Sequence, residues 1–150
     1  MAKKETPKET PAPSISILAQ YIKDLSFEAP GATRVSREAV PDLQINMHVS
    51  TSSLEKSTHA VLLETKASAA QGKETLFVLE LVYAGVFSLE SIPENMLPLA
   101  LYIECPRLLF PFVRNIVAHI TGEGSFPPLY LAPVDFMAMY EKHQASNSIH

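Results

Sequence analysis

The sequence holds a single cysteine, Cys105, directly before Pro106, and five histidines, His48, His59, His119, His143 and His150. Proline suits the first turn of a helix, so Cys105 is expected at a helix N-terminus, where the dipole and free amides favour a thiolate. With His119 and a carboxylate, such a thiolate could be a nucleophile. The competing fate of a lone cysteine, a small buried hydrophobe, is the commoner one. The histidines lack the paired spacing of zinc sites and no second cysteine joins them, so no metal is expected. Residues 122–124 read Gly-Glu-Gly with no phosphate-loop or dinucleotide fingerprint around them, so no nucleotide cofactor is expected either. The residues therefore offer no catalytic site and no cofactor.

The acidic residues Asp24, Glu28 and Glu80 are more informative. Carboxylates four residues apart on a strand share a face, but lie about 13 Å apart at ordinary strand rise, too far for an acid and base pair without a bend. They form either a solvated strand face or an acidic docking patch. A second stretch, "GSFPPLYLAPVDF" at 124–136, sets adjacent prolines among large apolar side chains. It is either a lid packed on its own core or the wall of a groove that takes extended apolar segments.

These residues are positioned by elements whose order can be read from periodicity. Residues 1–13 mix prolines and charges without an apolar pattern, the composition of a disordered tail. One folded domain is expected over 14–142, with 143–150 a flexible C-terminal tail. In 18–29, alternation sets Tyr21, Lys23, Leu25 and Phe27 on one side of a strand and Ile22, Asp24, Ser26 and Glu28 on the other. The proline-bounded residues 30–42 form a long connection. Leu43, Ile45, Met47 and Val49 then share one face of a second strand. Residues 58–69 make a third, and "QGK" at 71–73 turns into a fourth over 74–84. Short links favour an antiparallel meander.

The fourth strand is apolar on both sides: Phe77, Leu79, Leu81 and Tyr83 on one, Leu76, Val78 and Val82 with Glu80 on the other. A sheet covered on one side by helices needs one oily face, so the second is covered by another subunit or used for docking. Beyond Pro93 the pattern changes. From Pro106, residues Leu109, Phe112, Val113, Ile116, Val117 and Ile120 recur at three- and four-residue spacing until Gly122. A last helix is expected from Asp135, with Phe136, Met139 and Tyr140 on one face.

The 150 residues suit one domain, and 12 basic against 16 acidic side chains give no footprint for nucleic acid. The N-terminal lysines have no apolar run behind them, so neither a signal peptide nor a membrane span is expected, and a cytoplasmic location follows. The lone cysteine forbids an intrachain disulfide.

Four stretches, "KDLSFEAPGA" (23–32), "FVLELVYAGVFSL" (77–89), "ECPRLLFPFVRNIVAHIT" (104–121) and "GSFPPLYLAPVDF", together resemble the SecB family of bacterial preprotein-export chaperones. The resemblance implies an α+β fold, a four-stranded antiparallel sheet with helices on one face, assembled as a dimer of dimers. Two sheets would join edge to edge, and the long helices would lie between the dimers. It implies an ATP-independent holdase that keeps secretory precursors unfolded and delivers them to the translocase motor ATPase, SecA, with no direct membrane insertion. Motor-binding residues would be Asp24, Glu28, Val78 and Glu80. The client groove would use Val40, Leu43, Ile45, Met47, Leu129, Leu131, Val134 and Phe136, with Val40 where some relatives carry tryptophan. Leu79, Leu81, Tyr83, Phe112 and Ile116 would serve core and oligomer contacts. The C-terminal "HQASNSIH" lacks the acidic tail of some members. Alternatives are a SecB-like chaperone dedicated to a toxin–antitoxin pair and an oligomeric binder of small apolar ligands.

Overall fold

A computed structural model describes residues 11–34, 36 and 39–147. The tail expected over 1–13 thus lies outside the described residues up to position 10, and the C-terminal tail does so from position 148. Four strands form one antiparallel sheet: β1 (Ser14–Glu28), β2 (Asp42–Ser53), β3 (Thr58–Gln71) and β4 (Glu74–Glu90). Their spatial order is β1-β4-β3-β2. Only β2, β3 and β4 run as a meander; the 30–42 connection carries the chain across so that β1 pairs with β4. The expectation of a simple four-strand meander is corrected to a Greek-key order. The β3–β4 link is a two-residue turn, with Gln71 opposite Glu74 and Gly72 at φ +61°, the conformation a side chain resists.

Irregularities in register overturn part of the face assignment. On β1 the register shifts between Ile17 and Ala19 and between Ile22 and Asp24, leaving Leu18 and Lys23 as extra residues. Each bulge slips the alternation by one. Tyr21 therefore pairs with Ala84 on the outer face and Ile22 with Tyr83 on the inner one, the reverse of the sequence reading. Asp24, Ser26 and Glu28, beyond the bulge, pair with Val82, Glu80 and Val78. On β4 a third bulge falls at Leu76, since Ala69 faces Phe77 while Ala70 faces Thr75. Leu76 is buried rather than on an outer face with Val78 and Val82.

The helical region starts earlier than its apolar period implied. A 3₁₀ turn (Glu94–Met96), a short α turn α1 (Leu97–Leu99) and a π turn (Ala100–Glu104) lead without a break into α2 (Cys105–Glu123). The π turn precedes Pro106, whose ring nitrogen cannot donate to the carbonyl one turn back, and there the Cys105 N–H donates to Ala100 O. Gly124 rather than Gly122 ends the helix, its N–H reaching Ile120 O. The run Glu94–Glu123 is long and apolar enough to cross a membrane by length and composition, a test that the core helix of a folded domain passes equally. One stripe of it, Leu109, Val113 and Val117, is fully buried and packs on β3 and β4. The last helix, α3 (Phe136–Asn147), is capped by Asp135, whose Oδ1 accepts the Ala138 N–H at 3.0 Å. It carries residues 143–147 of the segment expected to be a flexible tail.

Among the described residues, helices thus lie on the inner face only. The core joins Val61, Leu63, Leu79, Leu81 and Phe87 from the sheet to Ile103, Cys105, Leu109, Val113 and Val117.

Candidate functional site

Two surfaces flank this core. The first lies on the inner face, beside the C-terminal end of α2. After α2 the chain continues from Phe126 to Asp135 in extended form, because its prolines permit no helix and cannot donate to a sheet. Its backbone polar groups are met instead by side chains of α2. Thr121 Oγ1 accepts the Leu129 N–H at 2.9 Å and itself donates to Val117 O at 2.8 Å, while Arg114 Nε donates to Leu131 O at 3.1 Å. The Arg114 guanidinium also lies 5.0 Å over the Tyr130 ring.

Opposite this segment, the described part of the 30–42 connection folds over the β3–β4 hairpin. The Gly31 N–H donates to Leu76 O at 3.1 Å, and a Cβ at Gly31 would stand 2.8 Å from Leu76 Cα, so the approach requires glycine. The Gln71 amide accepts the Ser36 N–H and donates to the carbonyls of Ser36 and Ala39, each at 3.1 Å. Arg34 forms an ion pair with Glu74.

Between these walls lies an open cavity of about 950 Å³, lined on one side by Ala32, Ala39 and Pro41 and on the other by Phe126, Pro127, Pro128 and Leu129. Its floor is Ala69, Leu76 and Phe77 of the sheet, with Leu43 at the margin. Phe77 packs against Phe126 at 4.9 Å between ring centroids and against Phe27 at 5.8 Å. The volume and apolar lining are those of a concave binding site.

The residues expected in the groove separate into four groups. Leu43 and Leu129 line the cavity. Ile45 and Met47 continue the inner face of β2 away from it, Ile45 being 44% exposed. Leu131 and Phe136, each 2% exposed, are core residues under the proline segment, and Val134 packs beside them. They support the wall and do not face the cavity. Val40 points away, 93% exposed. Ala32 and Phe126 lie in the connection and the proline-rich stretch, while Leu76 and Phe77 were not expected as lining; the bulge at Leu76, not visible in local sequence, brings them to the floor.

The second surface is the outer sheet face. Register gives three rows across all four strands: Glu28, Val78, Ser68 and Gln44; Ser26, Glu80, Lys66 and Asn46; Asp24, Val82, Glu64 and His48. Asp24, Glu28, Val78 and Glu80 fall within them, and Glu64, Lys66 and His48 join them. Alternation along β3 could have found Glu64 and Lys66. A depression of about 290 Å³ is bordered by Asp24, His48, Glu64, Lys66 and Glu80. Lys66 Nζ stands 3.4 Å from Glu80 Oε1.

The cysteine occupies neither surface. Cys105 lies inside the continuous helical run and not at a free N-terminus, so no open amides face its thiol. Burial, with the neighbouring Glu104 charge adding to it, pushes the thiol up to about 12. His119 is exposed on α2. A protonated, buried thiol is a core hydrophobe. Leu79, Leu81 and Tyr83 are buried on the inner face, while Phe112, 45% exposed, stacks on Tyr83 at 6.1 Å. Ile116 is half-buried next to them.

Residues 8–147 match the family described as preprotein translocase subunit SecB. A protein-export protein SecB of Brucella anthropi is 50% identical over 139 residues, 91% of this chain and 85% of the relative. That of Hyphomonas neptunium is 48% identical over 138 residues, 91% and 83%. Among solved structures, a Mycobacterium tuberculosis SecB-like chaperone in complex with a ChAD peptide from the HigA1 antitoxin superposes with a TM-score of 0.69. It has 16% identity, over 81% of this chain and 91% of that one, a likeness of fold.

Proposed function

The chain belongs to the SecB family and is a protein-export chaperone, and from that premise we propose how its two surfaces divide the work. Unfolded precursors lodge apolar segments in the cavity between the 30–42 connection and residues 126–135, and the translocase motor SecA docks on the acidic outer face. The observation that carries this division is that the apolar cavity and the carboxylate rows lie on opposite faces of one sheet. Client and motor can then be engaged together.

A protein that binds only unfolded chains shifts their folding equilibrium by mass action, which requires no ATP. Each cavity alone holds one short segment weakly. Several on one assembly raise the effective concentration, and avidity can exceed single-site affinity by about 10² to 10⁴. We propose the dimer of dimers for this reason. Its supports are Leu108 and Phe112, exposed along α2, and Ile17, Leu18, Tyr21 and Ile22, exposed along the edge strand β1. Selection among clients is kinetic, since slow folders keep apolar segments exposed longer. The motor's basic surface meets Asp24, Glu28 and Glu80 around Val78, where charge complementarity governs encounter and register. This work belongs in the cytoplasm, where precursors are made. The fold likeness to an antitoxin-bound chaperone does not outweigh the far closer export relatives.

Native mass tests the reading first. A mass of four chains that rises by one precursor diluted from urea, and does not rise with the same precursor prefolded, is expected. A monomer indifferent to both would overturn it. Glu80→Lys should weaken SecA binding at least tenfold in titration calorimetry while the precursor still binds; equal loss of both would remove the outer-face assignment.

A further inference from the structure

The outer face carries a charge that its docking role does not explain. Within the three rows, Asp24, Glu28, Glu64 and Glu80 face Lys66, the only lysine or arginine among them. Lys66 stands directly opposite Glu80 on the neighbouring strand, and its ammonium lies 3.4 Å from Oε1, with both side chains more than half exposed. Cross-strand pairs of opposite charge contribute little on a wet surface, so the contact adds little to the fold. Its position is the informative part. The pair borders the outer-face depression, where Asp24, Glu64 and Glu80 converge. A basic side chain entering that depression would seek the carboxylate Lys66 already holds, and would meet Lys66's own charge.

We propose that Lys66 is an internal competitor for Glu80 that sets the affinity of the docking face for a lysine- or arginine-rich partner segment. The idea rests on the reading of the outer face as the motor's docking surface. A bound cation from the partner displaces Lys66, which swings away on its flexible stem and leaves Glu80 to the newcomer. Docking therefore includes an exchange of ion pairs, which weakens it and eases release after the client is handed over. An exposed pair of this geometry changes affinity by a few-fold and no more.

The test is titration calorimetry of the full chain with SecA across a salt series. Lys66→Gln should bind about two- to fivefold more tightly at low salt and show a steeper fall with added salt, because one repelling charge is gone. Lys66→Arg, which keeps the charge, should stay at the unmodified affinity. Unchanged or weaker binding by Lys66→Gln would overturn the proposal and, in the weaker case, make Lys66 a contact of the motor. The double variant Asp24→Asn with Glu28→Gln separates this from failure of the docking face. If that variant binds SecA unchanged, the face itself is misassigned and the role of Lys66 falls with it. If it binds weakly while Lys66→Gln is unaltered, the face stands and only the competition fails.

Discussion

The inner face of the sheet is covered in two ways, and the two ends differ accordingly. At one end α2 presents Leu109, Val113 and Val117 at helical spacing, and they interlock with Val61, Leu63 and Phe87 until nothing is exposed. At the other, Ala69, Leu76 and Phe77 are covered by an irregular connection and a proline-rich segment, and a cavity of about 950 Å³ remains. Regular helices interdigitate because their side chains repeat at fixed offsets. A proline-rich strand of chain has no such repeat and pairs with no strand, so it is held at a distance by the side chains of Thr121 and Arg114, as the connection is by Gln71. Incomplete packing is what that architecture gives, and it leaves the cavity open.

The contrast can be broken first at Cys105, in the closed end. Burial holds its thiol at about 12, well above the ordinary 9.0, so at pH 8 it stays protonated where a free thiol is partly ionised. Iodoacetamide should leave the native protein unlabelled and label it in urea; labelling of the native chain at the free-thiol rate would mean that this end opens. Because the folded value is raised, the thiol leaves stability unaltered below pH 9 and lowers it as pH climbs from 9 towards 12.

Next in size is Phe87→Ala. Removing a fully buried ring from the closed end should cost about 3–5 kcal/mol in urea unfolding, whereas Phe126→Ala, which already borders the cavity, should cost less and weaken client capture more. Equal costs would erase the distinction between the two ends. Gly31→Ala is expected to cost about 1–3 kcal/mol, since its Cβ meets the Leu76 backbone at 2.8 Å and backbone cannot step aside. It should also lift the connection and raise the fluorescence of an apolar dye. The smallest effect belongs to Gln71→Ala, which removes the three exposed hydrogen bonds to Ser36 and Ala39. Stability should fall by about 1 kcal/mol or less, with a measurable gain in dye binding; a dye signal unaltered in both variants would show that the connection does not govern access.

Much of this was legible without coordinates. Alternation fixed the inward set Leu79, Leu81 and Tyr83 and the outward set Asp24, Glu28, Val78 and Glu80, because a strand's faces repeat every two residues and both runs lie beyond the bulges. The same rule misplaced Tyr21, Ile22 and Leu76, since a bulge follows from pairing with a neighbouring strand and leaves no local signature. Leu131 and Phe136 look like groove residues by composition, yet burial depends on what lies above them.

The sequence by itself determined the strands, the buried stripe of α2, the family, and the extended proline-rich wall, all of which follow from periodicity, backbone restriction and motif. Only the tertiary structure decided that β1 lies beside β4, that Gln71 holds the connection 32 and 35 residues away, and that Lys66 meets Glu80. These contacts join residues distant in the chain, and their geometry is set by how the sheet closes and twists, which no local pattern encodes.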